Sequence, residues 1–444
     1  MAEHANEKQP GTLRLVLRSL KHRNYRLFFV GQGTSLIGTW LTRVATSWLV
    51  YRLTNSALLL GLVGFAGQIP ALILAPFAGV IVDRYSRHRM LVITQILLML
   101  ISFALAALTL ARVIDVYQVL LLSVCQGLVN AFDMPARQAF VVEMVEDRAD
   151  LANAIALNSS MVNVARLLGP SIAGVLIAAT GEGLCFLIDG ISYIAVVASL
   201  LMMTIRQEQP IAAPSGHLRQ FREGIEYSFG FAPIRNILLI ASTISIMGMS
   251  YTVLMPVFAT KVLHGGPQTL GFLMACSGVG ALIGALYLAA RRTVLGLGAI
   301  MASASAVFGL ALVVFGASSL YWLSLLMMFV AGGSMIMHFA SANTVLQTIV
   351  DDDKRGRVMS LFSVAFLGMA PLGSLLAGFL ASRIGPQYTV QITGTCCVIA
   401  AIIFARQLPT IRRLARPIYL RKGVIREVAS GIGQVSQMRV PPEE

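Results

Sequence analysis

Gly79-Val-Ile-Val-Asp83-Arg84-Tyr-Ser-Arg87-His88-Arg89 is a short charged string set between two apolar runs, at about 57–81 and 90–112. Each run is long enough to cross a hydrocarbon core of ~30 Å as a helix, and a charged turn between two such runs is the mark of a helical hairpin in a membrane. Working outward, further runs lie at about 25–50, 117–138, 154–179, 183–204, 236–259, 269–290, 295–316, 321–345, 358–381 and 388–408. They are too long for barrel strands, so the chain reads as an all-α polytopic membrane protein of twelve transmembrane helices.

Composition supports this, since 57% of residues are hydrophobic and 12% charged, with a mean hydropathy of +0.77, far from the roughly 25% charged residues of a soluble domain. The formal charge of +14 follows the loops: alternate connections hold 28 Lys and Arg on one side and four on the other. The positive-inside rule then places both termini in the cytoplasm of a cell whose inner membrane holds the chain, and a nucleic-acid partner is not expected. The segment Met1 to Leu20 is polar and basic, unlike a cleaved signal, so the first span is expected to remain in place. Cys125, Cys185, Cys276, Cys396 and Cys397 all sit in apolar stretches without metal-ligand spacing, so neither metal nor cofactor is expected.

Four segments follow: a six-helix half over 1–204, a cytoplasmic linker over 205–235, a second six-helix half over 236–408, and a basic tail over 409–444. The linker carries Pro210, Pro214 and Pro233 and an amphipathic stretch, His217 to Phe229. The tail, alternately apolar from Leu420 to Val435, suits either the anionic inner leaflet or plain solvent. A shift of 204 residues lays Gly169 on Gly373, Ala173 on Ala377, Gly174 on Gly378 and Gly181 on Gly385. Helix 5 thus repeats as helix 11, as expected of two pseudo-symmetric halves enclosing a midplane site.

The quoted loop, a Gly followed four residues on by Asp-Arg and then a basic cluster, resembles the loop signature of the major facilitator superfamily, with Ser86 and His88 as mild departures. In that family the loop Asp meets helix 11 and the basic residue four places on, which meets a carboxylate near the cytoplasmic end of helix 4. The resemblance therefore implies a cytoplasmic gate of Gly79, Asp83, Arg84, Arg87, Asp133 and Arg137. The run Asn130-Ala-Phe-Asp133-Met-Pro135-Ala-Arg137, with Arg166-Leu-Leu-Gly169-Pro170-Ser-Ile-Ala-Gly174, is similar to the branch containing the enterobactin exporter and related multidrug effluxers. Gly169, Pro170 and Gly174 resemble its exporter-type helix 5 motif, although Ser123 stands where many proton-coupled drug exporters carry an arginine.

Charges within the spans are expensive, ~2.5–3.5 kcal/mol each at mid-helix, and so are functional candidates. Asp189, Arg43 and Arg166 form a candidate proton or charge relay: Asp189 either carries protons or is fixed in an ion pair with one of the arginines. Arg43 either attracts an anionic substrate or snorkels outward. The polar set Gln32, Ser35, Thr39, Gln126, Asn130, His338 and Asn343 either lines a cavity or bonds helix to helix.

The expected function is secondary transport without a nucleotide engine, since no Walker-type loop is present. Protons would exchange for a small amphipathic solute, a drug or siderophore, through a monomer surrounded by lipid bilayer. A lipid or lysolipid flippase of the same fold is the alternative, and a transport-dead sensor or scaffold a third class. No HExxH, nucleophile elbow or carboxylate cluster points to an enzyme.

Overall fold

The structure, a computed structural model, describes residues 18–145, 147–204, 217–291 and 293–422. Among these every regular element is a helix. In the first half α1 is Arg23–Thr54. Then α2 runs over Ala57–Ala66 and resumes over Ile69–Arg84. There follow α3 (Arg87–Leu110), α4 (Val116–Glu143), α5 (Arg148–Thr180) and α6 (Glu182–Leu201). The amphipathic linker stretch forms a helix, His217–Gly230. The second half holds α7 (Ala232–Val262), α8 (Pro267–Ala289), α9 (Leu297–Ala317), α10 (Tyr321–Ile349), α11 (Arg355–Ile384) and α12 (Pro386–Arg421).

Eleven of these helices are long and apolar enough to cross a membrane. The exception is α1, whose stretch from Gln32 to Ser47 carries Thr34, Ser35, Thr39, Thr42 and Arg43. Its polarity is absorbed by neighbours: Gln32, Ser35 and Thr42 are all buried.

Local chemistry sets the helix ends. Asp115 and Gln118 form a reciprocal capping box at the start of α4, satisfying two backbone donors that a helix leaves open. Between α5 and α6, and again between α11 and α12, the chain turns on a glycine with positive φ, Gly181 at 83° and Gly385 at 86°. These are the two glycines that the 204-residue shift superposes, so the repeat preserves a backbone conformation closed to other residues.

Two departures from the apolar runs have physical causes. Where one run spans 57–81, α2 breaks at Gly67 and restarts with Pro70 in its first turn, a position that needs no backbone N–H. And α12 continues to Arg421, past the end of its apolar run and through Pro409 and Pro417. The first part of the expected tail is therefore helix, and residues 423–444 lie outside the described ones.

Packing follows one pattern twice. α1 lies on α5 and α6, α6 on α3, α3 on α4, and α4 on α2; α7 lies on α11 and α12, α12 on α9, α9 on α10, and α10 on α8. The halves meet chiefly along two seams, α2 with α11 and α5 with α8. α7 and α11 also contain π-helical turns, Ile244–Gly248 and Val364–Gly368. These turns are tied together where Ser245 Oγ donates to the Phe366 carbonyl at 2.6 Å, one way of satisfying a carbonyl released by the widened turn.

Candidate functional site

At the end of the bundle where α1 begins, α2 and α3 meet in a sharp turn that carries Arg84 and Arg87. Ser86 caps α3 by accepting from the Arg89 N–H. The Asp83 side chain lies outside the described ones, Arg84 is exposed, and Gly79 has open space where a side chain would stand. Arg87 bonds Glu143 at 2.6 Å. This corrects the expected pairing with Asp133, which is buried and engaged elsewhere, accepting from Thr94 Oγ1 at 2.8 Å, from Gln95 Nε2 at 2.7 Å and from Arg137. Three donors on one carboxylate leave Asp133 well satisfied in the wall between α3 and α4. Glu143, at the last turn of α4, reaches the loop, and the sequence reading missed it.

Beside the gate, Asp150 in the first turn of α5 gathers the segment before α1. It lies 3.2 Å from Arg18 Nε, 2.7 Å from Lys21 Nζ and 3.0 Å from His22 Nε2. The hydrogen bond to Asp150 holds the Lys21 ammonium above its ordinary value.

Toward the far end of the bundle Asp189 is fully buried. Its Oδ2 accepts from Thr42 Oγ1 at 2.7 Å and from Ser102 Oγ at 2.8 Å, while Oδ1 has no hydrogen-bond partner. The ion pair with Arg43 or Arg166 is absent among the described residues; both arginines instead attend Trp40. The guanidinium carbon of Arg43 sits 4.9 Å from the Trp40 ring centroid and that of Arg166 at 5.9 Å. Gly169 makes the arrangement possible, since a Cβ there would stand 2.3 Å from Trp40 Cβ. Arg166 lies in the neighbourhood of Tyr251 of the second half, whose hydroxyl bonds Ser277 at 3.3 Å. Trp40 and Tyr251 were missed by the sequence reading, because an aromatic residue in an apolar run reads as packing.

The polar set divides. Thr39, Gln126, Asn130 and Asn343 are half-buried, whereas Gln32 and Ser35 are buried within the helix wall. Of the two readings of His338 the structure favours bonding between helices: it is fully buried between α9 and α10, with Nδ1 2.7 Å from Ser305 Oγ. Among the described residues no cluster of His, Cys, Asp and Glu could hold a metal ion.

Backbone meets backbone between the halves toward the end where α2 and α8 begin. A Cβ on Gly61 would lie 2.9 Å from Gly378 Cα, and one on Gly174 would lie 3.0 Å from Gly271 Cα. Both seams are thus lined by facing glycines.

The fold, twelve helices in two halves, defines the class: a multi-pass membrane transporter of the major facilitator type. The chain belongs to the transmembrane secretion effector family, matched over residues 16–417. It is 28% identical over 381 residues to the staphyloferrin A transporter of Staphylococcus aureus (strain NCTC 8325 / PS 47), covering 85% of this chain and 95% of that one. It is also 28% identical over 400 residues to the multidrug efflux pump Tap of Mycolicibacterium fortuitum, covering 86% and 94%. Among solved structures, the nucleoside transporter NupG superposes with a TM-score of 0.65 at 16% identity, covering 88% of this chain and 99% of that one. A bacterial homolog of the human lysosomal transporter Spinster, in an inward-facing and occupied conformation, gives 0.65 at 17% identity, covering 90% and 98%.

Proposed function

We propose that the protein exports a small amphipathic molecule, of the drug or siderophore class, in exchange for protons. It would work by alternating access in a bacterial inner membrane, with both termini in the cytoplasm. The charge asymmetry of the loops supports this orientation, and the relatives named for a siderophore and for multidrug efflux support export. With that orientation the glycine seams would lie at the outer end.

The observation that carries the proton-coupled reading is Asp189. Its carboxyl is buried, held by two hydroxyls and matched by no cation among the described residues. Such a group can take or release a proton without breaking an ion pair, unlike Asp133 with Arg137. Energy suffices, because one charge crossing 100 mV is worth ~2.3 kcal/mol and sustains a gradient of roughly fortyfold at ~1.4 kcal/mol per decade.

The test is substrate-induced pH change in proteoliposomes holding the purified protein, with siderophores, cationic drugs and lysolipids as candidate solutes. Flux should appear with one class, and Asp189→Asn should abolish the pH change while solute binding survives. Unchanged coupling in Asp189→Asn would return that carboxyl to a structural role. A flippase is the second reading, supported by an apolar groove of about 510 Å³ between α3 and α4, lined by Ile93, Leu97 and Leu128 and flanked by Arg89. Lysolipid movement without any pH change would favour it.

A further inference from the structure

We infer that Arg43 and Arg166, both lying by the indole of Trp40, form a subsite for an anionic group of the transported molecule: a carboxylate carried on an apolar or aromatic body. The inference rests on the transport reading above and narrows it, because it assigns the solute a charge.

The first ground is an uncompensated charge. Neither arginine has an ion-pair or hydrogen-bond partner among the described residues, and both guanidiniums lie by the Trp40 ring, near enough for the two cations to repel. Contact of a cation with an indole offsets only part of the cost of placing an arginine within a membrane span. Two arginines held this way leave a deficit that an incoming anion would remove.

Access is the second ground. Arg43 keeps accessible surface although protein crowds around its head, so an incoming group can reach it. Snorkelling would draw its head toward the membrane surface; instead it turns back along α1 over Trp40.

A third ground is that the site is built into the backbone. Gly169 is the residue whose missing side chain seats Trp40, and Trp40 fixes the plane both guanidiniums face. Guanidinium forks match a carboxylate in two-point fashion, and the indole offers a flat apolar surface for what the carboxylate is attached to. Arg166 lies in the neighbourhood of Tyr251 on α7, so an anion here would touch α1 and α5 of one half and sit beside α7 of the other. A ligand bound between two moving halves can stabilise one arrangement over the other.

Two probes of matched shape and opposite charge test this: pyrenebutyrate and pyrenebutylamine, titrated by fluorescence anisotropy against the full-length protein in neutral-lipid nanodiscs. Wild type should bind the carboxylate at least tenfold more tightly than the amine. Arg43→Gln and Arg166→Gln should each weaken carboxylate binding about tenfold, or ~1.4 kcal/mol, without weakening the amine. Arg43→Lys and Arg166→Lys, which keep the charge, should retain most of the preference and so separate lost charge from lost fold. Equal or tighter binding of the amine by wild type overturns the inference, as does undiminished carboxylate binding in well-folded Gln variants. Arginine-dependent carboxylate binding with no proton flux for any solute would instead overturn the coupled-export reading and leave the subsite standing. Proton flux driven by cations and not by carboxylates would do the reverse.

Discussion

Gly174 on α5 and Gly271 on α8 meet with no side chain between them: a Cβ on Gly271 would stand 3.0 Å from Gly174 Cα and 2.7 Å from the Pro170 carbonyl oxygen. Gly61 and Gly378 repeat the contact across the other seam, and the 204-residue repeat places Gly174 on Gly378. Backbone touches backbone at both places, so neither can absorb a methyl group by rotating a side chain. Gly174→Ala and Gly61→Ala should each add overpacking strain of about 1–3 kcal/mol and prise apart the sealed end. Electron–electron resonance distances between labels on the far ends of α2 and α11 should lengthen, and transport should fall at least fivefold. Unaltered distances and rates would mean that the seams are not the pivot.

The turns at Gly181 and Gly385 provide a test of stability separate from transport. With φ of 83° and ψ of 177° at Gly181, and 86° and 158° at Gly385, each occupies a region that only glycine enters cheaply. Gly181→Ala and Gly385→Ala should each cost about 1–3 kcal/mol in reversible unfolding in mixed detergent, although open space surrounds both positions. A loss below 0.5 kcal/mol, on the same scale as ordinary surface substitutions, would show that the turns relax.

Arg87 and Glu143 form a partly exposed pair, and such pairs contribute ~0–1 kcal/mol to stability. Their consequence should lie in the balance between arrangements of the halves. Arg87→Glu and Glu143→Arg are each expected to change transport severalfold while shifting unfolding by no more than about 1 kcal/mol, and the double swap should recover much of the loss. A swap no better than the single variants would show that the pair does not act as a unit.

The Lys21–Asp150 contact allows a pH statement with a definite sign. Lys21 is raised above 10.5, so its contribution is fully present below that value and is lost only as pH climbs through the still higher folded value. Between pH 6 and 9 Lys21 itself should make the clamp on α5 no weaker. In a His22→Asn background, amide exchange over 18–26, corrected for intrinsic rate, should be flat across that window, and Asp150→Asn should raise it severalfold at every pH. A steep change within the window would assign control to a group other than Lys21.

Most of the fold was legible because membrane spans are written as length and apolarity, and the repeat was legible because glycines at seams and turns tolerate little else. Gly169 packs on Trp40 of α1 where Gly373 packs on Ile246 of α7, so the superposed residues do equivalent work. The pairing of side chains was less legible. Asp133 and Glu143 both sit on α4 near the loop, and which one meets Arg87 depends on rotation of α4 about its axis, which sequence spacing alone leaves open. His338 shares its helix with Asn343, yet one is sealed against Ser305 and the other half-exposed. The relay of Asp189 with the arginines came apart because Thr42 and Ser102, ordinary hydroxyls in apolar spans, took the carboxylate. No charge pattern announces that choice.

The polarity of α1 has a consequence for biogenesis. The helix that brings Thr42 to Asp189 and holds Trp40 and Arg43 is also the one not apolar enough to qualify as a span by itself. Residues that serve the interior thus weaken the helix's partition into lipid, and its firmest neighbours, α5 and α6, are synthesised later. Insertion of α1 should therefore be completed by the arrival of those helices rather than at the translocon exit, so the earliest stage of assembly is where the site's polarity is felt most.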